Sequence, residues 1–166
     1  MPPPASPPPA PASLASPAPS DDPTLGPGLR GARVVEVSWG DCDASGIVFY
    51  PRYYAWFDAC THALLAGVGL GHEVLRARYG VTGTPLVQAS ARFRSPATYG
   101  DALVATSRVA RVGRSSFTVA HRLALGDRVV VDGEETRVWA EDAGGSPPAL
   151  RAAPIPDDVR ARLLDA

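Results

Sequence analysis

The stretch that most restricts this chain is an alternating strand that runs into a short acidic, glycine-containing loop and restarts, at a proline, as a long amphipathic helix. Val35, Val37 and Trp39 alternate with Val34, Glu36 and Ser38, the period of two of a half-buried strand. Beyond the loop, Phe49, Tyr53, Trp56, Phe57, Cys60, Ala63, Leu64 and Gly67 recur at steps of three and four, which predicts one face of a helix. Between the two patterns lie Asp41, Asp43 and Gly46, and Pro51 stands where a helix can begin. A proline in the first turn forfeits no hydrogen bond, because the N–H groups there have no partner inside the helix. The same free donors, with the partial positive charge of the helix start, can hold an anion or polarise a carbonyl oxygen. An acid a few residues upstream can then face the carbonyl carbon.

The remainder reads mostly as strands, at about 85–94, 101–111, 115–125 and 128–140. Phe117, Val119, His121, Leu123 and Leu125 alternate with Thr118, Ala120, Arg122 and Ala124, and Gly126-Asp127 is a two-residue hairpin signal. A short helix is expected over His72–Tyr79, bounded by Gly67, Gly69 and Gly71 before it and Gly80 after. The tail, 141–166, opens on Gly144-Gly145-Ser146-Pro147-Pro148 and is expected to be loop with a short terminal helix. The order is thus strand, helix, then four strands in a meander, an α+β pattern of an antiparallel sheet with a helix packed on one face.

Residues 1–30 differ in kind. Pro2-Pro3-Pro4, Pro7-Pro8-Pro9 and few charges predict a disordered or polyproline-like arm, with one folded domain over 31–166. A signal peptide fits poorly, since a basic start is missing and prolines interrupt any apolar run. No stretch approaches the roughly 20 apolar residues of a membrane span. The net charge of −1 gives no reason to expect nucleic acid or an anionic membrane as partner. Cys42 and Cys60, the two cysteines, suit a reducing, cytoplasmic compartment and form neither a disulfide framework nor a metal cluster. His62, His72 and His121 have no metal-ligand spacing, and no Gly-x-Ser-x-Gly elbow accompanies them. Arg111 and Arg114 flank Gly113 in a turn, either as paired phosphate donors or as a solvated hairpin.

The run Gly40-Asp41-Cys42-Asp43-Ala44-Ser45-Gly46-Ile47-Val48-Phe49-Tyr50-Pro51, extended by Tyr53, Trp56 and Asp58, resembles the 4-hydroxybenzoyl-CoA thioesterase family of the hotdog fold. Gly83-Thr84-Pro85-Leu86-Val87, then Ala91, Phe93, Tyr99 and Asp101, carry the resemblance on, with fainter echoes at Ser116-Phe117 and Glu135-Thr136-Arg137-Val138; it covers roughly residues 33 to 158. It implies an antiparallel sheet of about five strands wrapped around one long central helix. It also implies an acyl-CoA thioesterase without metal or redox cofactor. Asp43 is then the catalytic carboxylate, as nucleophile or as general base, and the Tyr50 N–H is the donor to the developing oxyanion. Asp41 is instead expected to make a structural hydrogen bond to its loop. Asp58, Thr84, Arg111, Arg114 and Ser115 become substrate-binding residues.

Pro51 follows Tyr50 as in the hydroxybenzoyl-CoA enzymes of that family, where many relatives acting on short aliphatic acyl-CoAs have a His, so the resemblance implies an aromatic acyl group. The family's assembly implies a homodimer, or a homotetramer of paired dimers, with each pocket shared between two chains. Two other readings stay open: a thioesterase for acyl groups on a carrier protein, and a non-catalytic acyl-CoA-binding protein.

Overall fold

The computed structural model describes residues 23–145 and 149–165. The elements are β1 (Arg30–Glu36), α1 (Pro51–Gly67), α2 (His72–Tyr79), β2 (Val81–Gly83), β3 (Leu86–Phe93), β4 (Ala102–Val112), β5 (Ser116–Leu125), β6 (Arg128–Val138), β7 (Ala140–Asp142), β8 (Leu150–Ala152) and α3 (Asp157–Leu164). Five strands form one antiparallel sheet in the order β1-β4-β5-β6-β3, and β2-β7-β8 form a second, small one. This is the hotdog arrangement: α1 touches the large sheet along its length. Leu64 meets Gly31 of β1, Thr61 and Phe57 meet His121 of β5, Phe57 meets Gly133 of β6, and Tyr53 meets Phe93 of β3.

Alternation decides which side chains enter the core. On β5, Phe117, Val119, His121 and Leu123 are buried beneath the helix, and on β6 the inward positions are Val131, Gly133, Glu135 and Arg137. Apolar residues collect into two clusters, one around Phe57, Tyr53 and Leu123, the other around Leu64, Phe117 and Trp139. A layer of buried polar groups, Thr61, Ser107, His121 and Glu135, separates them.

Several expectations are met closely. The second helix spans His72–Tyr79 and is stopped by Gly80 in the left-handed conformation, φ 64°. The hairpin at Gly126-Asp127 closes with Leu125 opposite Arg128. The tail ends in the short helix α3, while Ser146, Pro147 and Pro148 lie outside the described residues. Among the described residues no helix is long and apolar enough to cross a membrane.

Other expectations are corrected. The four later strands are not a simple meander. β4, β5 and β6 are consecutive neighbours, but β3 lies at the far edge and pairs with β6; in the connection that follows it, the Ser95 N–H donates to Val130 O and Ala97 O accepts from the Val48 N–H. The chain leaves β6 at Val138 and enters the small sheet at Ala140, so the strand expected over 128–140 is divided. On α1, Ala63 and Gly67 are exposed, as is Phe49 before it, whereas Thr61 and Leu65 are buried. The helix turns its narrow apolar stripe one position from the expected one because Thr61 finds hydrogen-bond partners inside.

The boundary of the N-terminal arm also moves. Residues 1–22 lie outside the described residues, but 23–30 belong to the domain. Leu25 is buried, the Gly28 N–H donates to Val109 O, the Leu29 N–H donates to Leu163 O, and Arg30 already starts β1.

Candidate active site

The loop between β1 and α1 is held by Asp41. Its carboxylate accepts from the Ser38 N–H at 2.9 Å and pairs with Arg52 Nε at 3.3 Å. Its carbonyl accepts from the Phe49 N–H at 2.8 Å. Both ends of the loop are therefore tied to one residue, as expected for a structural acid. The inner turn is tied by backbone: the Asp43 N–H donates to Ile47 O, the Gly46 N–H to Asp43 O, and Gly46 takes φ +77° to close it. Val48 donates to Ala97 O, which fixes the loop to the segment before β4.

The Asp43 carboxylate, by contrast, is exposed. Among the described residues its hydrogen-bond donor is the Ser45 N–H, at 2.7 Å to Oδ1. Tyr50 caps α1 with helical backbone angles, Pro51 has no N–H, and Arg52 and Tyr53 donate to Phe49 O and Tyr50 O. Among the described residues no backbone carbonyl takes the Tyr50 N–H. The Tyr50 ring is exposed and sits edge-on to Phe49. Trp39, Cys42, Asp43, Ala44, Gly46 and Tyr99 line an open depression of about 440 Å³. Trp39 is 80% and Tyr99 66% exposed, so the depression has aromatic walls unusually open to solvent for one chain. Behind it, burial pushes the Tyr53 hydroxyl up to about 12.

Asp58 lies two turns further along α1, roughly 12 Å from Tyr50 by helical rise. It is joined to Arg137 Nη2 and, at 3.5 Å, to His62. Arg137 also donates Nη1 to Thr84 O at 3.2 Å, bringing Asp58 and Thr84 together beside the start of β3. The Thr84 hydroxyl is buried with no hydrogen-bond partner among the described residues.

Arg111, Arg114 and Ser115 are elsewhere. They sit at or beside the β4–β5 turn, where Ile155 N–H donates to Arg114 O, Trp139 N–H donates to Ser115 O, and Arg111 donates to Thr118 Oγ1 at 3.3 Å. Ten residues of β4 and its approach separate Arg111 from Asp101, roughly 30 Å of strand, and Asp101 is at the Asp43 end. One chain therefore holds Asp43 and Tyr50 apart from the other expected site residues, while Thr84 and Ser115 lie on either side of the Val138-Trp139 end of β6.

The sequence reading passed over Glu135 and Arg137 as functional groups and set His121 aside. His121 is fully buried, stacked on Phe57 at 4.9 Å, with Nδ1 2.8 Å from Ser107 Oγ. Glu135 Oε2 accepts from Thr61 Oγ1 at 2.8 Å and from Arg137 at 3.0 and 3.2 Å. Burial alone would raise the Glu135 carboxyl, but the His121 hydrogen bond, the Arg137 charge and the Thr61 hydroxyl outweigh it and hold it below the usual range. The available signal was two opposite charges two apart, in phase with Val131, Gly133 and Trp139 on one strand face.

Comparison with known proteins agrees with this architecture. Residues 37–163 match the family model described as the thioesterase-like superfamily. The 4-hydroxybenzoyl-CoA thioesterase of Pseudomonas sp. (strain CBS-3) is 33% identical over 129 residues, spanning 74% of this chain and 89% of that protein. The solved structure of the enzyme from that strain is similar at a TM-score of 0.75 and 29% identity, covering 81% of this chain and 99% of the other. A mutant 4-hydroxybenzoyl CoA thioesterase complexed with 4-hydroxybenzoyl CoA gives 0.74 and 30% over the same shares. A gentisyl-coenzyme A thioesterase gives 0.68 and 31%, again over 81% and 99%. With a helix wrapped by an antiparallel sheet and a family match across nearly the whole described domain, the chain belongs to the thioesterase-like superfamily of hotdog-fold hydrolases.

Proposed function

We propose that this protein hydrolyses the thioester of a hydroxyaryl-CoA, with Asp43 as its catalytic carboxylate and the Tyr50 N–H as its oxyanion donor. The observation that carries the reading is the contrast between the two loop acids. Asp41 is taken up by Ser38 and Arg52, whereas Asp43 stays exposed on the turn that leads to a helix-start N–H with no backbone acceptor among the described residues. Hydrolysis makes the carbonyl carbon tetrahedral and places negative charge on its oxygen, and a preset N–H at the positive end of α1 lowers that barrier. Asp43 supplies either the attacking oxygen or the base that takes a proton from water. The 33% and 31% identical relatives named for 4-hydroxybenzoyl and gentisyl thioesters support an aromatic acyl group.

The working unit in this reading is a twofold dimer. β3 is an open sheet edge with Leu86, Val87 and Phe93 exposed at 46, 60 and 49%. Two such edges pairing antiparallel about their centre set Leu86 of one chain opposite Phe93 of the other. The Thr84–Asp58 group of one chain then approaches Ser95 and the Asp43 loop of its partner, and the separated sets become one pocket. Arg111, Arg114 and Ser115 are assigned to the nucleotide end of the substrate.

The test is a panel of hydroxybenzoyl-, benzoyl- and aliphatic acyl-CoA thioesters with released thiol as readout. Hydroxyaryl thioesters should turn over fastest. Asp43→Asn should keep the wild-type melting temperature and lose about 100-fold or more in kcat. Asp41→Asn should lower the melting temperature and change kcat by only a few-fold. Near-full activity in Asp43→Asn would refute the assignment.

A further inference from the structure

The chemistry proposed above leaves unused a set of polar and ionisable side chains buried in the middle of the core. Ser107, His121, Glu135 and Arg137 are each at most 3% exposed and are linked side chain to side chain, ending on the half-exposed carboxylate of Asp58. Such an arrangement is an expensive way to fill a core, because well-packed apolar residues usually serve stability as well or better. What it provides is placement.

Arg137 uses three of its nitrogens on acceptors from three parts of the chain. Nε and Nη2 go to Glu135 on its own strand, Nη2 also to Asp58 on α1, and Nη1 to Thr84 O on the turn before β3. A planar guanidinium fixes the angles among these acceptors, which a lysine ammonium cannot do. The same turn carries the buried Thr84 hydroxyl, a polar atom with no partner among the described residues. A substrate hydroxyl is a group that can satisfy it.

We infer that Arg137, backed by Glu135 and His121, is the positioning residue of the acyl end of the pocket: it locks Asp58 to the Thr84 turn so that both present polar atoms to a hydroxyl on the substrate ring. The inference rests on the hydroxyaryl-CoA reading. Arg137 itself touches no substrate. It acts through Asp58 and Thr84, so its removal should cost recognition of the ring hydroxyl and leave the chemical step intact.

The experiment compares hydroxybenzoyl-CoA with benzoyl-CoA in the wild type, Arg137→Lys, Arg137→Met, Asp58→Asn and the Arg137→Met/Asp58→Asn double variant. A non-hydrolysable ketone analogue of each thioester, titrated calorimetrically, is measured alongside. Arg137→Met should raise KM for the hydroxylated substrate about 10-fold or more relative to benzoyl-CoA, with kcat for benzoyl-CoA within about threefold of wild type. Arg137→Lys should fall between the two. In the Asp58→Asn background the arginine change should add less than about threefold to the ratio, since both lesions remove one interaction.

Equal losses for both substrates, or an unchanged ratio in Arg137→Met, would make Arg137 a structural residue and overturn the proposal. If Arg137→Met does not fold, Arg137→Lys and the half-exposed Asp58→Asn decide it, and wild-type discrimination in both overturns it. The analogue affinities separate this outcome from failure of the hydrolysis reading. A wild type that binds the hydroxylated analogue preferentially but releases no thiol refutes hydrolysis and leaves the arginine test standing. A wild type that binds neither analogue refutes both.

Discussion

Gly133→Ala is the smallest change that should disturb both the core and the site. A Cβ on Gly133 would stand 2.3 Å from both Cε2 and Cζ of Phe57. Ordinary carbon contacts begin near 3.5 Å, so the ring, or the helix carrying it, must retreat by about 1 Å. The ring has little room to turn. It is fully buried, stacked on His121 with an interplanar angle of 12° and edge-on to Tyr54. Gly133 does not have a positive φ, so the alanine backbone is unstrained and the cost is packing. Overpacking a rigid core costs ~1–3 kcal/mol, and removing a strand glycine returns roughly 0.5–1 kcal/mol, which leaves a net loss of about 1 kcal/mol. For a domain of this size that is a fall of about 3–4 °C in Tm. The assay is thermal unfolding followed by circular dichroism at fixed protein concentration, since an oligomer's Tm depends on it. Adding Phe57→Leu should recover part of the loss, because the shorter side chain vacates the position of Cε2 and Cζ. A Gly133→Ala protein that melts with the wild type, or one that Phe57→Leu only destabilises further, would refute the steric argument.

Arg114→Ala should raise KM for acyl-CoA and flatten its salt dependence while sparing kcat and pantetheine thioesters, as for an exposed phosphate contact; equal weakening of both substrates would make the arginine a turn residue. Deleting residues 1–29 should lower Tm by several degrees relative to deleting 1–22, because only the longer deletion removes the buried Leu25 side chain, worth ~1.5–3 kcal/mol; equal melting of the two truncations would contradict that packing. Glu135 has its folded pKa depressed, so its contribution to stability is complete above the unfolded glutamate value, about 4.3, and is lost as pH falls through the lower folded value. Denaturant titrations across the acid range should therefore show a shallower pH dependence for Glu135→Gln than for the wild type, and parallel curves would contradict it.

How much was legible in the sequence depended on how local the deciding interaction was. The existence of the first strand and the start of α1 could be read because period, glycine and proline signals act within a few residues, but β1 ends at Glu36, short of the expected Trp39, which is exposed. His72–Tyr79 could be read for the same reason, down to Gly80 as its left-handed stop. The place of β3 could not, because its edge position is set by pairing with β6, about 45 residues away, and strand character says nothing about which neighbour is chosen. Leu25 escaped because a single apolar residue disappears in a proline-rich composition, although its burial depends on one contact surface and not on an average. Asp41 and Asp43 could be told apart by resemblance alone; the structure adds that their hydrogen-bond partners differ, Asp41 holding Ser38 and Arg52 and Asp43 the Ser45 N–H. Glu135 and Arg137 were visible as letters, but a charged pair in a strand reads as solvated until the sheet register turns that face inward.

That inward face explains why the polar layer and the glycine notch occur together. Inward residues on a strand recur about every 6.7 Å, and residues four apart on a helix advance 6 Å. α1 can therefore lie along β6 with Phe57 over Gly133 and, one turn on, Thr61 bonded to Glu135. Asp58 falls between these two fixed points, directed outward, and Arg137 at the next inward position folds back over Glu135 to reach it. The direction of the Asp58 carboxylate is thus set by a packing contact on one side and a hydrogen bond on the other. The N-terminus of the same helix carries the Tyr50 donor. On the proposed reading, a slip or rotation of α1 would misplace the Tyr50 donor in one pocket and Asp58 in the other pocket of a twofold dimer. α1 is held by both an apolar notch and a charged fork, so the same reading expects a methyl group at Gly133 to be felt in substrate recognition as well as in melting.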